Sequence, residues 1–189
     1  MELRSFEWEQ RRHLGEVRDL WRTLGPLLQR RNSYTGGVTW KQVNGYEYLA
    51  RFQTDPITRS KKFEYLGQRK PETEHAYAEF QRERAELDGQ IAALQRRMDV
   101  AARVSKALRI GRMPTQAADA LRAIWRAGLD KDVVVVGSSN IYAYELLTGL
   151  LVPREAAPSE DLHLMSTVPR SEEAADDLKR ALVTADRSY

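Results

Sequence analysis

Apolar residues return at three- and four-residue steps across residues 5–31, through Phe6, Leu14, Val17, Leu20, Trp21, Leu24, Leu27 and Leu28. That period predicts a helix with one buried stripe. Gly25-Pro26 is expected to kink or divide it, because proline lacks an amide and its ring crowds the preceding turn. Beyond the turn-rich segment Asn32-Ser33-Tyr34-Thr35-Gly36-Gly37 the pattern shifts to aromatic and β-branched residues. Three antiparallel strands are predicted there, at 38–43, 46–53 and 61–66. Asn44-Gly45 tolerates positive φ at both residues and is the hairpin signal. Asp55-Pro56 marks a second turn, and Gly67 is expected to end the meander.

Residues 72–109 read as one long helix, with Pro71 at its start and Glu72, Glu74 and Glu79 towards its positive end. Phe80, Leu87, Ile91, Leu94 and Met98 follow spacings of 7, 4, 3 and 4, the rhythm of a packing seam, and Gly89 weakens the middle. The seam can pair within the chain or with a second protomer, so oligomeric state stays open. Gly111 and Pro114 close this helix. Another fits 115–128, with Leu121, Ile124 and Trp125 on one face and Gly128 as its stop.

Val133–Val136, four β-branched residues in a row, predict a strand buried on both faces. Gly137-Ser138-Ser139-Asn140 breaks it, and Ile141 to Leu150 resumes as helix. Pro153 and Pro158 bracket a loop, Leu162 to Met165 is a short strand, and 171–183 is an amphipathic helix with an acidic face. There is no internal repeat. The pattern predicts an α+β chain in three stretches. Residues 1–70 hold helices and a three-stranded antiparallel meander, 71–129 the long helix and its connector, and 130–189 a partial α/β core.

Composition changes this picture little. Of 189 residues, 42% are hydrophobic and 30% charged, as expected of a globular chain. The absence of cysteine excludes disulfides, thiolate zinc sites and a cysteine nucleophile, and fits a reducing cytoplasm. The first residues lack an apolar signal core, and no apolar run nears the roughly 20 residues a membrane span needs. A soluble, cytoplasmic protein without membrane contact is expected.

Charge is less even. The net charge of +3 divides into +6 over 1–70, +1 over 71–130 and −4 over 131–189. The meander region interleaves Trp40, Tyr46 and Tyr48 with Lys41, Arg51, Arg59, Lys61, Lys62, Arg69 and Lys70. Such a ribbon can contact nucleic acid, or it can pack its aromatics on a helix while its charges stay solvated.

The chemistry concentrates after Val136. A strand that ends in glycine and serines and turns into a helix offers backbone N–H groups and hydroxyls to anionic oxygens. The same residue types also serve as an ordinary helix cap. A P-loop would require a lysine that is absent here, and a dinucleotide fingerprint would require two more glycines. His13 and His75 read as surface or cap histidines. Glu145 reads as a holder of nearby backbone or of an arginine. No serine has a histidine base at a recognisable spacing, so acyl transfer lacks support.

With these residues in view, the chain resembles a family of bacterial proteins of nucleotidyltransferase (DNA polymerase β-like) fold. The shared features are the Val133–Val136 strand, Gly137-Ser138-Ser139-Asn140, Tyr142-Ala143-Tyr144-Glu145, and an Asp-x-Asp position that here reads Asp161-Leu162-His163. Gly45-Tyr46-Glu47-Tyr48-Leu49, Tyr65-Leu66-Gly67, Pro71-Glu72-Thr73-Glu74 and the Leu121–Leu129 helix extend the resemblance over roughly residues 35–165.

The resemblance implies a nucleoside triphosphate gripped by Gly137, Ser138, Ser139 and Asn140, and Mg²⁺ or Mn²⁺ held at Asp161, the candidate catalytic carboxylate. His163 stands where the second carboxylate belongs, and imidazole suits Mn²⁺ or Zn²⁺ better than Mg²⁺. Glu172, Glu173, Asp176 and Asp177 fall in a helical pattern rather than on the strand that would bring a third carboxylate. The expectation is a shortened, nucleotidyltransferase-like protein with impaired transfer. The alternative is a non-catalytic module that binds nucleic acid or a partner protein.

Overall fold

A computed structural model describes residues 3–55, 58, 60–153, 161–169 and 171–186. The element order is β1 (Arg4–Ser5), α1 (Trp8–Asn32), β2 (Gly37–Val43), β3 (Tyr46–Thr54), β4 (Lys61–Gln68), α2 (Pro71–Ala107), α3 (Thr115–Arg126), β5 (Val133–Val136), α4 (Asn140–Thr148), β6 (Leu150–Leu151), β7 (His163–Ser166) and α5 (Glu172–Asp186). The class is α+β, with small antiparallel sheets. No described helix is long and apolar enough to cross a membrane.

Two compact units form. One contains residues 1–23 and 95–189, the other Leu24–Leu94. The sequence divisions after residues 70 and 129 do not coincide with them, because α1 and α2 each begin in one unit and end in the other. α1 also continues through Pro26 as a single helix rather than dividing there.

In the Leu24–Leu94 unit the strand order is β2-β3-β4, antiparallel throughout. Asn44 and Gly45 turn the first hairpin at φ 49° and 83°, the left-handed pair its sequence demands. The second turn is described only in part, with the Thr58 amide donating to Asp55 Oδ1; Pro56 lies outside the described residues. Gly67 does not end β4, which runs on to Gln68. Leu49 pairs with Gly67 and Ala50 with Tyr65, so Leu66 is the extra residue of a bulge and Gly67 its hinge, at φ 146°.

Leu24, Val38, Leu49, Ala50, Leu87 and Ile91 are the buried apolar residues of this unit, and Leu87 and Ile91 belong to the α2 seam. Trp40 lies 5.8 Å from the Tyr77 ring of α2, and Arg69 stacks over Trp40 while pairing with Glu47 and Glu74. Tyr34 packs on Phe80, 5.1 Å between ring centres, and its hydroxyl donates to Glu83. That hydrogen bond to a carboxylate raises the phenol above its ordinary range.

In the other unit Phe6, Ile110 and Leu151 form a buried cluster edged by Leu14, Leu108 and Leu146. β1 pairs with β6, two short strands too brief to announce themselves in sequence. α3 ends as its glycine predicts: Gly128 takes φ 75°, its amide donates to Trp125 and that of Leu129 to Ile124. His13 is not a surface histidine. It is 6% exposed, with Nε2 3.0 Å from the Ala101 carbonyl and 2.9 Å from Ser105 Oγ.

β5 pairs antiparallel with β7, Val133 opposite Ser166 and Val136 opposite His163. The strand is not buried on both faces, since Val134 is 39% exposed. Four valines specify an extended chain; burial of both faces also needs a layer on each side of the sheet. Among the described residues β5 has one strand neighbour.

Candidate functional site

The candidate site is the turn that joins β5 to α4. Gly137 adopts φ 78°, a left-handed conformation that an L side chain enters only with strain. His163, cross-strand from Val136, lies against it: a β-carbon on Gly137 would come 3.7 Å from the imidazole Cδ2. The turn is therefore bounded on one side by the ring that occupies the Asp-x-Asp position.

The two serines face opposite ways. Ser138 is exposed. Ser139 is 3% exposed, and its hydroxyl donates to the Asp161 carbonyl at 2.9 Å. That bond fixes the backbone of Asp161 beside the turn and commits the Ser139 hydroxyl, while Asp161 itself stays exposed. The Asn140 amide group donates to the Val135 carbonyl at 3.1 Å, tying the helix start to the strand.

The backbone of the turn is divided in the same way. Its carbonyls are occupied: Asn140, Ile141 and Tyr142 donate to Gly137, Ser138 and Ser139 at 3.3, 3.0 and 3.4 Å. The Ser138 and Ser139 amides donate to no partner among the described residues. The amide of exposed Ser138, at the positive end of a helix and next to a left-handed glycine, sits where an anion is favoured, whereas Ser139 is buried.

The Tyr142-Ala143-Tyr144-Glu145 segment is split by the helical period. Tyr142 is buried and Tyr144 is 62% exposed. Glu145, 3% exposed, accepts both Arg112 Nε (3.3 Å) and Arg112 Nη2, and also the Val152 amide at 2.8 Å. Arg112 Nη2 returns a bond to the Val152 carbonyl at 2.8 Å. Glu145 thus holds an arginine and neighbouring backbone together, and it fastens the exit of α4 past Gly149. Arg112 carries no sequence signal of this partnership, because 33 residues separate the two.

Two donors, Asp161 and His163, stand near the turn, whereas Glu172, Glu173, Asp176 and Asp177 lie on α5 as their helical pattern predicts. Among the described residues no three His, Cys, Asp or Glu side chains come together as a metal cage. Magnesium commonly takes only one or two carboxylates and completes its shell with substrate phosphates and water.

A hollow of about 360 Å³ is lined by described residues of this unit away from the turn. It opens at the other end of β5, lined by Leu129, Val133, Val168, Pro169 and Leu178.

Residues 115–189 match the family model described as Nucleotidyltransferase, which supports placing this stretch with the nucleotidyltransferases. The match spans less than half of the chain. It contains the turn, the Tyr-Ala-Tyr-Glu helix and Asp161, whereas the meander and α2 features of the sequence resemblance fall outside it. No curated protein and no solved structure matches the chain.

Proposed function

We propose that this protein is nucleotidyltransferase-like and takes up a nucleoside triphosphate on the Gly137–Asn140 turn, with impaired transfer. The observation that carries the reading is the start of α4 beside Asp161, where the amide of exposed Ser138 has no hydrogen-bond partner among the described residues. In this reading the Ser138 amide and hydroxyl receive phosphate oxygens, and Gly137 lets the backbone approach them. Ser139 and Asn140 position the turn. Asp161 and His163 supply donors for Mg²⁺ or Mn²⁺ that arrives with the triphosphate, which supplies the missing oxygens. Asp161 is the single carboxylate that the described residues bring beside the turn, and impaired transfer is the expectation because two-metal chemistry relies on paired carboxylates to hold both ions.

Titration with ATP, GTP, CTP and UTP, with and without Mg²⁺ or Mn²⁺, tests it. Nucleotide should bind more tightly with the ion present, and the ion alone should bind weakly. Asp161→Ala should remove the ion dependence. Failure of all four nucleotides to bind sinks the reading. Strong nucleotide turnover to monophosphate and pyrophosphate would reject impaired transfer.

A second reading rests on a separate observation, the basic and aromatic residues of 41–70. There the meander contacts nucleic acid. Complex formation should weaken with salt and on neutralising Lys61 and Lys62, and a flat response at low salt would exclude it.

A further inference from the structure

The strand register sorts the meander side chains onto two unlike faces. Lys41 is opposite Tyr48, Ala50 lies between Thr39 and Tyr65, and Phe52 lies between Gly37 and Phe63. These residues, with Val43, Tyr46, Thr54 and Lys61, therefore share one face. Val38, Trp40, Leu49, Arg51 and both strand carboxylates, Glu47 and Glu64, fall on the other. Trp40 places that second face towards α2.

The first face is apolar, aromatic and open. Tyr46 is 59% exposed, Tyr65 56% and Phe63 40%. Tyr48 meets Tyr65 edge-on at 6.2 Å and Phe52 meets Phe63 at 5.9 Å, so the rings brace one another. Ala50, in their midst, is fully covered. The only charges that the strands bring to this face are Lys41 and Lys61, whose ammonium groups sit 4.5 and 4.9 Å over the Phe63 and Phe52 rings.

An open face with stacking rings, two cations and no carboxylate has a definite complement: a ligand with planar faces and negative charge. We propose that this face is a stacking platform for single-stranded nucleic acid. Exposed bases lie on Tyr46 and Tyr65, and backbone phosphates meet Lys41 and Lys61. A duplex keeps its base faces inside its own stack and has nothing to offer the rings. A second copy of the chain would set lysines against lysines. The inference rests on the second reading above and is independent of nucleotide binding at Gly137.

The full chain is titrated by fluorescence anisotropy with labelled oligo-dT and oligo-U of about 12 nucleotides, and with a duplex of that length. Either single strand should bind more tightly than the duplex, and the ratio of dT to U says whether DNA or RNA is preferred. Tyr46→Ala and Tyr65→Ala should each weaken binding about 5- to 100-fold. Tyr65→Phe, which keeps the ring, should bind as the unaltered chain does. Replacing Lys41 and Lys61 together with Gln should reduce the slope of log affinity against log salt by about 1.4. Both tyrosines are more than half exposed, so an unchanged circular dichroism melt is expected and verifies the fold.

Ser138→Ala should leave oligonucleotide binding intact even if it abolishes nucleotide binding, which separates the two sites. Equal binding of duplex and single strand, or unchanged binding by the alanine variants, overturns the proposal. So does a concentration-dependent dimer that Tyr65→Ala dissociates while no oligonucleotide binds; that result assigns the face to a second copy.

Discussion

The meander and the β5–α4 turn present chemistry in opposite ways. The meander exposes side chains: rings and ammonium groups stand on one sheet face while the reverse face packs against α2. The turn commits most of its polar side chains inward. Ser139 donates to the Asp161 carbonyl and Asn140 to that of Val135, and Ser138 alone of the three stands exposed, its amide without a partner among the described residues. Truncating a side chain should therefore damage the meander's chemistry and spare its fold. At the turn, truncating a buried side chain should damage the fold first, and the proposed nucleotide binding should yield mainly to changes in backbone conformation.

The largest test of this contrast is Glu145→Ala. It leaves Arg112 and the Val152 amide without their acceptor in a buried place, and a loss of about 3 kcal/mol in urea unfolding is expected. Arg112→Ala should cost a comparable amount, and the double variant less than the sum, because the two act as one unit. An additive result would deny that this clamp holds α4.

Gly137→Ala comes next. The turn keeps room for a methyl group near His163, but φ 78° costs an alanine roughly 1–2 kcal/mol. Nucleotide affinity should fall along with stability, as read by isothermal titration and thermal melts. Ser139→Ala should cost about 1 kcal/mol and loosen Asp161, so its nucleotide defect should appear mainly when the divalent ion is present.

Ser138→Ala, at an exposed position, should stay within about 0.5 kcal/mol of the unaltered stability while weakening nucleotide. Equal stability loss in the two serine variants would erase the inward and outward distinction.

The smallest effect concerns pH in the meander unit. The Tyr34 phenol is raised above 10.0 by its hydrogen bond to Glu83. A group raised in the folded chain stabilises it below its ordinary value, and that stability is lost as pH climbs through the folded value. Chemical denaturation above pH 10 should therefore show the unaltered chain losing more stability than Tyr34→Phe.

Much of this was legible in the chain itself, where local chemistry decides. Asn44-Gly45 and Gly128 specify their turns because few residues accept positive φ. The Phe80-to-Met98 spacing marks a helical seam because side chains on a helix repeat near every 3.6 residues. Gly137-Ser138-Ser139-Asn140 after four valines announces a strand-to-helix turn. The match over residues 115–189 agrees with the class those motifs suggest.

What tertiary structure alone decided is where each group ended up facing. The same serine pair yields one committed hydroxyl and one open, because Asp161 returns beside the turn 22 residues later. His13 became a buried hydrogen-bonding residue because α2 passes next to it, with 88 residues between the partners. Val134 stayed partly open because β5 acquired one described neighbour rather than a layered sheet. A bulge at Leu66 turned Gly67 from a terminator into a hinge. Local sequence sets backbone conformation through sterics and propensity. Burial, pairing and exposure depend on which distant segment arrives opposite, and so the turn could be read from its residues while the choice of which serine is committed and which is open could be found only in the fold.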